Sequence, residues 1–335
     1  MYSVDMNDKN IATKLPQIFK KYGIAVIEGV YTEEFCNTAM DDIVFNIENL
    51  GTDVDRNKLK ETWTRDNLPP QTRSGMFQCA VGHFQPIWDT RSHPNVRKIF
   101  KILYSNLREK EIDDFTCSFD GMTLLPNEIG PFDKGKDWAH VDQTVRKGPL
   151  YCIQGQAVLT NTTASFRCTP GSCNYYEDIL DLEGVKKDDK SNWCKFKDPS
   201  LVKAFCEEKK LEYQIPIKSS KGSFIVWSST TIHSAKLADG PEKPDKKDPW
   251  KGWRGAVYVC YRPREELKPA ALKRRTEYVD RNRNTSHWGE TLMAKTPGGR
   301  YLYIQPRAPI IEDVMHDPEL IFSLVGKPIM DKTLI

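Results

Sequence analysis

Apolar positions in the first third of the chain recur at helical spacing. In residues 14–22 (KLPQIFKKY), Leu15, Ile18 and Phe19 share one face, and Gly23 follows where a helix takes a left-handed cap. Residues 24–27 (IAVI) read as a short strand. Thr32 ahead of Glu33, Glu34 and Phe35 marks a second helix start, with acids at the positive end of the helix dipole. Residues 56–78 are polar and contain Pro69-Pro70, which predicts a surface loop. His93-Pro94 breaks the chain, and Val96, Ile99, Phe100, Ile102 and Leu103 then form a third helical stripe over 95–107.

The pattern changes after about residue 113. Runs rich in β-formers at 115–125, 151–159, 212–217, 223–228 and 255–261 alternate with turn signals such as Pro126-Asn127, Pro131, Pro170-Gly171 and Lys221-Gly222. Many short strands with Gly/Pro punctuation predict a sandwich, barrel or jelly roll. Two inserts interrupt it: a charged, partly helical stretch at 178–210 and a Pro/Lys loop at 238–252 (ADGPEKPDKKDPWKG). Neither a repeat at solenoid spacing nor a linker is visible. The expectation is one domain over 1–335, with a helical flank at about 10–112, a β core at about 113–265 and an extension at about 266–335.

Composition narrows the function classes. With 39% hydrophobic and 28% charged residues in 335, the chain can bury a core, which argues against wholesale disorder. Its 49 Lys and Arg against 46 Asp and Glu leave +3, which excludes a generally polycationic nucleic-acid coat. A local basic patch, Lys273, Arg274 and Arg275 with Arg281 and Arg283, still allows a phosphate-bearing or nucleic-acid substrate, although a solvated helix face is the simpler reading. None of the nine cysteines forms a CxxC pair, so neither a structural zinc site nor a thioredoxin-type site is signalled, and free thiols in a reducing compartment are expected. Residues 1–11 lack a basic stretch followed by an apolar core, and no run approaches the roughly 18 apolar residues of a membrane span. A cytoplasmic protein with no membrane partner is the expectation.

The chemistry centres on His140 within Trp138-Ala139-His140-Val141-Asp142-Gln143. A His and a carboxylate two residues apart on extended backbone point to the same face and can supply adjacent positions on one metal ion. A second His from a distant strand would complete the facial triad of a non-haem Fe(II) oxygenase. His233, in Thr231-Ile232-His233-Ser234 after the apolar run Phe224-Ile225-Val226-Trp227, is the natural candidate. An isolated HxD carries little weight, and a histidine at a strand end can simply be a capped core residue. The order of what surrounds it matters more. The HxD is followed by the 151–159 strand, a polar turn at 160–164 and Thr169-Pro170-Gly171-Ser172-Cys173. After His233 and the Pro/Lys insert comes Trp253-Arg254-Gly255, opening a strand that ends in Tyr261-Arg262-Pro263.

This ordered set resembles the phytanoyl-CoA dioxygenase-like (PhyH) branch of the Fe(II)/2-oxoglutarate-dependent oxygenases, over about 15–263 and most firmly over 138–263. The resemblance implies a mainly β chain with a helical flank around a double-stranded β-helix (jelly-roll, cupin-like) core. It makes His140, Asp142 and His233 the iron ligands. It makes Arg254 the partner of the distal carboxylate of 2-oxoglutarate, for which a permanently charged, planar guanidinium is suited. Arg262, on the same face of a regular strand, is the competitor. The implied enzyme is a dioxygenase that consumes O2, hydroxylates a small-molecule or acyl substrate and releases succinate and CO2, with ascorbate supportive. The retained Asp142 argues against the halogenating members, which give up the carboxylate. Gln154 and Gln156 each either contact the co-substrate or are satisfied interior amides. Trp138 either roofs the pocket or packs a loop. Gln78, His83 and Trp88 are substrate-side candidates, since relatives use this flank there, with buried packing the weightier reading. The chain departs from the pattern at Cys173, where a histidine is usual, and in the 21-residue interval from His233 to Arg254, which the Pro/Lys insert explains. The alternatives are a non-catalytic jelly-roll binding protein, a zinc hydrolase on the same three ligands, and an oxygenase acting on nucleic acid through the Lys273 to Arg283 patch. Ser286-His287-Trp288 is a distinctive tripeptide that receives no role.

Overall fold

A computed structural model of the chain describes residues 2–50, 52–64, 66–69, 75–77, 81–130, 138–243, 245–289 and 317–335. In chain order these fold as β1 (Ser3–Asp5), α1 (Ile11–Tyr22), β2 (Ile24–Glu28), α2 (Glu33–Asn49), α3 (Leu59–Thr62), β3 (Met76–Phe77), α4 (Gln85–Ser92) and α5 (Pro94–Arg108). There follow β4 (Phe115–Cys117), β5 (Met122–Pro126), β6 (His140–Val141), β7 (Ile153–Val158), β8 (Ser165–Cys168), α6 (Tyr176–Leu182), β9 (Cys194–Lys195) and α7 (Pro199–Glu208). The rest comprises β10 (Ile215–Pro216), β11 (Phe224–Ser228), β12 (His233–Lys236), β13 (Trp253–Pro263), α8 (Pro269–Asp280) and α9 (Pro318–Val325). The architecture is mixed helix and sheet, with a helical layer against one of two sheets.

Local chemistry accounts for the helices. Ile11, Leu15 and Phe19 of α1 are buried one turn apart, and Gly23, at φ 66°, returns its N–H to the Phe19 carbonyl. Thr32 caps α2 by accepting from the Phe35 N–H. In α5 the stripe Val96, Ile99, Phe100, Leu103 and Tyr104 is buried. The stretch at 56–78 is less purely a loop than its polarity suggests, since it also holds α3 and β3.

The larger sheet runs β1-β2-β11-β7-β13-β5-β3, with β4 paired to β13; the smaller runs β10-β8-β12-β6-β9. The predicted run at 115–125 divides into β4 and β5 at Asp120-Gly121. The strand expected at 212–217 shrinks to β10, because Gln214 takes a left-handed backbone (φ 52°) just before it. The charged insert at 178–210 does more than decorate the surface: its β9 extends the smaller sheet, with Lys195 opposite His140. The Pro/Lys insert is held by Trp250, which donates to Asp41, and by the buried Lys221, whose ammonium lies 2.8 Å from Asp248.

Alternation along the central strands divides the interior in two. Ile153 and Ala157 of β7, with Val257, Val259 and Tyr261 of β13, face the helices and join one apolar core with Phe19, Met40 and Phe100. Gln154, Gln156, Val158, Arg254, Ala256 and Tyr258 point the other way, towards the smaller sheet. There Phe166 packs on Trp227 with ring centroids 4.6 Å apart, joining the two sheets. Tyr104 locks the helical layer to both central strands: its hydroxyl donates to the Tyr261 carbonyl at 2.9 Å and accepts from the Ile153 N–H at 3.1 Å. Replacing Tyr104 by Phe strands two buried backbone groups, so urea denaturation is expected to show a loss of about 1–3 kcal/mol.

Candidate metal centre and anion pocket

Strand register assembles the central cluster. β12 pairs antiparallel with β6 so that His233 lies directly opposite His140, and directly opposed residues present their side chains on one face. Asp142, two residues on, shares that face; its backbone N–H is held at 2.7 Å by the Ser229 carbonyl. One ligand atom from each of the three residues can be chosen so that all lie within 4.8 Å of one another, and all three residues are buried. The His140 Nε2 stands 3.5 Å from Asp142 Oδ1, and the His233 Nε2 stands 3.2 Å from Asp142 Oδ2.

The other nitrogen of each ring is committed. His140 Nδ1 lies 2.9 Å from the Trp138 carbonyl, and His233 Nδ1 lies 2.9 Å from the Thr231 carbonyl. A carbonyl only accepts, so each Nδ1 carries the hydrogen and each Nε2 keeps its lone pair for the cluster. Burial, reinforced by the neighbouring His233, pushes the His140 imidazole down to about 3, so the ring is neutral. Burial opposes ionisation of Asp142, yet the surrounding imidazoles of His287, His140 and His233 outweigh it and hold the carboxyl well below its usual range. Two imidazoles that each turn Nε2 inward and one carboxylate, converging and buried, form a donor set that fits a divalent metal.

Trp138 lies over His140, with ring centroids 4.5 Å apart and planes 12° apart. Gln154 has a partner that its sequence position did not reveal: its Nε2 donates to Asp142 Oδ2 at 3.0 Å. A carboxylate acceptor fixes the amide orientation, so Gln154 Oε1 points away, buried and without a hydrogen bond among the described residues. Arg254 is buried, and its guanidinium makes no hydrogen bond or ion pair among the described residues. It lines a narrow, partly enclosed cavity with Gln156, Thr160, Ser165 and Phe166. The side-chain oxygens of Gln156 and Ser165 are also buried without partners. Arg262 is spoken for: it donates to Glu266 at 3.0 Å and stacks its guanidinium over Tyr151.

The flank candidates are placed elsewhere. Trp88 donates to His83 Nδ1 at 3.3 Å, and His83 Nε2 reaches the Arg283 carbonyl at 3.0 Å, so both belong to a buried network against Phe119. Neither lines the Arg254 cavity or joins the three-residue cluster. The polar and aromatic residues His83 and Trp88 pack together, because a buried imidazole and indole must find partners. Gln78 lies outside the described residues. The basic patch loses its centre: Arg275 is fully buried and donates to the Cys117 and Gly289 carbonyls. Cys173 is buried against Gly23 and Thr231. His287, which received no role, stands beside Asp142.

No family model matches the chain. It is 24% identical over 266 residues to the Ava biosynthesis cluster protein O of Aspergillus versicolor, spanning 76% of this chain and 79% of that one. It is 30% identical over 131 residues to a protein of Dictyostelium discoideum described as "Putative phytanoyl-CoA dioxygenase", spanning 38% of this chain and 35% of that one. Among solved structures, a hypothetical protein of Escherichia coli superimposes with a TM-score of 0.55 at 14% identity, covering 84% of this chain and 77% of that chain. The DUF1479 protein GIG2 of Candida albicans does so at 0.51 and 13%, covering 98% and 80%. These two share the fold. The chain thus resembles the phytanoyl-CoA dioxygenase-like family, as its motif order implied. No helix among the described residues is long and apolar enough to cross a membrane.

The neutral, buried His83 makes stability depend on pH. Burial, with the charge of Arg91 adding to it, lowers its pKa from 6.5 to about 3. Below about pH 6.5 the unfolded chain binds a proton that the folded one refuses, so stability falls as pH drops through that value towards 3. Urea denaturation at pH 7.5, 6 and 5 is expected to show this decline, on the order of 1 kcal/mol per pH unit from this group. Constant stability over that window would contradict a neutral buried imidazole.

Proposed function

We propose that the chain is an Fe(II)- and 2-oxoglutarate-dependent dioxygenase, a hydroxylase of a small-molecule or acyl substrate. The reading is carried by a buried arginine with no counter-charge among the described residues, opening on a cavity between the two sheets, beside a His/Asp/His cluster. An isolated buried charge is costly, so a guanidinium kept there without an acid implies an anionic ligand. His140, Asp142 and His233 are the proposed metal ligands, and Arg254 the proposed partner of the distal carboxylate of the co-substrate. When bound, iron(II) would supply the chemistry by which O2 oxidises 2-oxoglutarate to succinate and CO2 with one oxygen atom and hydroxylates a substrate C–H bond with the other.

The remaining work falls to the chain's own residues. The Trp138 and Thr231 carbonyls hold each imidazole in the tautomer that offers Nε2. Gln154 restrains one oxygen of Asp142. Gln156 and Ser165 offer buried polar oxygens along the Arg254 cavity, where the hydroxyl of Ser165 can donate to a bound carboxylate. Trp138 and Phe166 flank the imidazoles of His140 and His233 and keep that side dry. In this reading the two facing sheets are the halves of a double-stranded β-helix, and residues 1–335 form one domain with a helical flank and a C-terminal extension. The resemblance to a phytanoyl-CoA dioxygenase and to a biosynthesis cluster protein favours a metabolite over a macromolecular substrate.

The test is succinate formation with Fe(II), ascorbate and 2-oxoglutarate, first without a prime substrate and then with a metabolite library. Wild-type protein is expected to produce succinate, and His140→Ala to fall to background. An Asp142→Ala variant that turned over like the wild type would sink the assignment. Loss of a charged hydrogen bond is worth about 1.5–3 kcal/mol. Arg254→Met is therefore expected to weaken 2-oxoglutarate binding by roughly ten- to a hundredfold, measured by calorimetry in the presence of Mn(II).

A further inference from the structure

The stretch from Asn282 to Gly289 folds back beneath the cluster. Its backbone is clamped to the corner between β4 and β5: Thr285 N–H donates to the Phe119 carbonyl at 3.1 Å, and Phe119 N–H donates to Thr285 Oγ1 at 2.8 Å. The Asn284 amide donates to the Phe119 carbonyl at 2.9 Å, the Arg283 carbonyl accepts from His83, and Arg275 donates to the Gly289 carbonyl. The last contact reaches the cluster itself: the Trp288 indole N–H donates to the backbone carbonyl of Asp142 at 3.0 Å. Most of the segment is buried, Thr285 fully so. These anchors hold the intervening residue, His287, in place.

The side chain of His287 is about a quarter exposed, but its Nε2 is buried, has no hydrogen bond among the described residues and lies 4.0 Å from Asp142 Oδ1. Gln154 already holds Asp142 Oδ2. We propose that His287 is a positioning residue for the metal cluster: its Nε2–H hydrogen-bonds to Asp142 Oδ1 when a metal is bound, and with Gln154 it fixes the plane of that carboxylate. The inference rests on the metal-binding reading above. A carboxylate free to swing could present either oxygen or both; held at each oxygen from opposite sides, it presents one geometry. The gap to hydrogen-bond length is about 1 Å, within reach of a rotation of the ring. His287 is not a fourth ligand of the tight group, which comprises His140, Asp142 and His233 among the described residues. The His140 imidazole and the buried Asp120 and Asp142 carboxylates are the charged or titratable groups seen to interact with it among the described residues.

The test is calorimetric titration of Mn(II) into chelator-stripped protein, comparing wild type, His287→Leu, His287→Gln and His140→Ala. Outer-shell partners of this kind are typically worth ten- to a hundredfold in metal affinity. His287→Leu is therefore expected to bind Mn(II) roughly ten- to a hundredfold more weakly. His287→Gln, which keeps an N–H at similar reach, is expected to recover most of the loss, and His140→Ala to bind nothing measurable. The visible spectrum of the Co(II)-loaded protein should change in His287→Leu and return in His287→Gln. The metal-free Tm should be alike in His287→Leu and His287→Gln, since both lose the imidazole and the ring makes no hydrogen bond there among the described residues. Wild-type affinity in His287→Leu would overturn the proposal and leave the metal reading intact. A fall in metal affinity that glutamine does not restore would assign His287 a merely structural part and overturn it as well. Failure of the wild type to bind Mn(II), Co(II) or Fe(II) would overturn the metal reading and this inference together.

Discussion

Antiparallel register between β6 and β12 sets His233 directly opposite His140, and the unusual features of the interior follow from that pairing. Cross-strand neighbours share a face, and so do residues two apart on one strand. Together these rules gather two imidazoles and a carboxylate into one buried cluster without strained backbone. A one-residue slip of either strand would turn a ligand to the opposite face and disperse the group.

Burying such a cluster is costly unless every polar group has a use. The structure meets this locally, with a backbone carbonyl for each imidazole Nδ1, Gln154 for one carboxylate oxygen and an indole N–H for the Asp142 carbonyl. Several buried polar atoms lack a hydrogen bond among the described residues, and three such groups, the Arg254 guanidinium, Gln156 Oε1 and Ser165 Oγ, open on one cavity. Unsatisfied groups scattered through a core would be a defect, whereas unsatisfied groups that converge describe the ligand they await. Arg91, Arg262 and Arg275 provide the contrast: each is buried, yet each has its hydrogen-bond acceptors or acid.

Much of this was legible in the chain. Helical stripes, caps and the Gly/Pro-punctuated β region are local signals, and they located α1, α2, α5, β7, β11 and β13. His140, Asp142, His233 and Arg254 were singled out by their order. The places of Gln154, His287 and Trp288 beside Asp142 were not legible, because each comes from a different strand or loop and no spacing rule connects them. His83 and Trp88 are buried and hydrogen-bonded, the weightier of their two sequence readings, whereas Arg275 is buried where a solvated helix face was expected. A polar or basic residue in sequence looks available, and burial with a specific partner is invisible until the chain is folded.

The sequence by itself determined what depends on near neighbours: the periodicity of each helix and strand, the turns that separate them, and the presentation of His140 and Asp142 on one face. The tertiary structure alone decided which distant residues meet. It placed His233 opposite His140, left Arg254 without a counter-charge among the described residues while giving Arg262 to Glu266, and brought His287 from the C-terminal segment to the edge of the cluster. The reason is physical. Side-chain alternation is a property of a few consecutive residues, but register between strands and the fate of a buried charge are set by the packing of the whole interior.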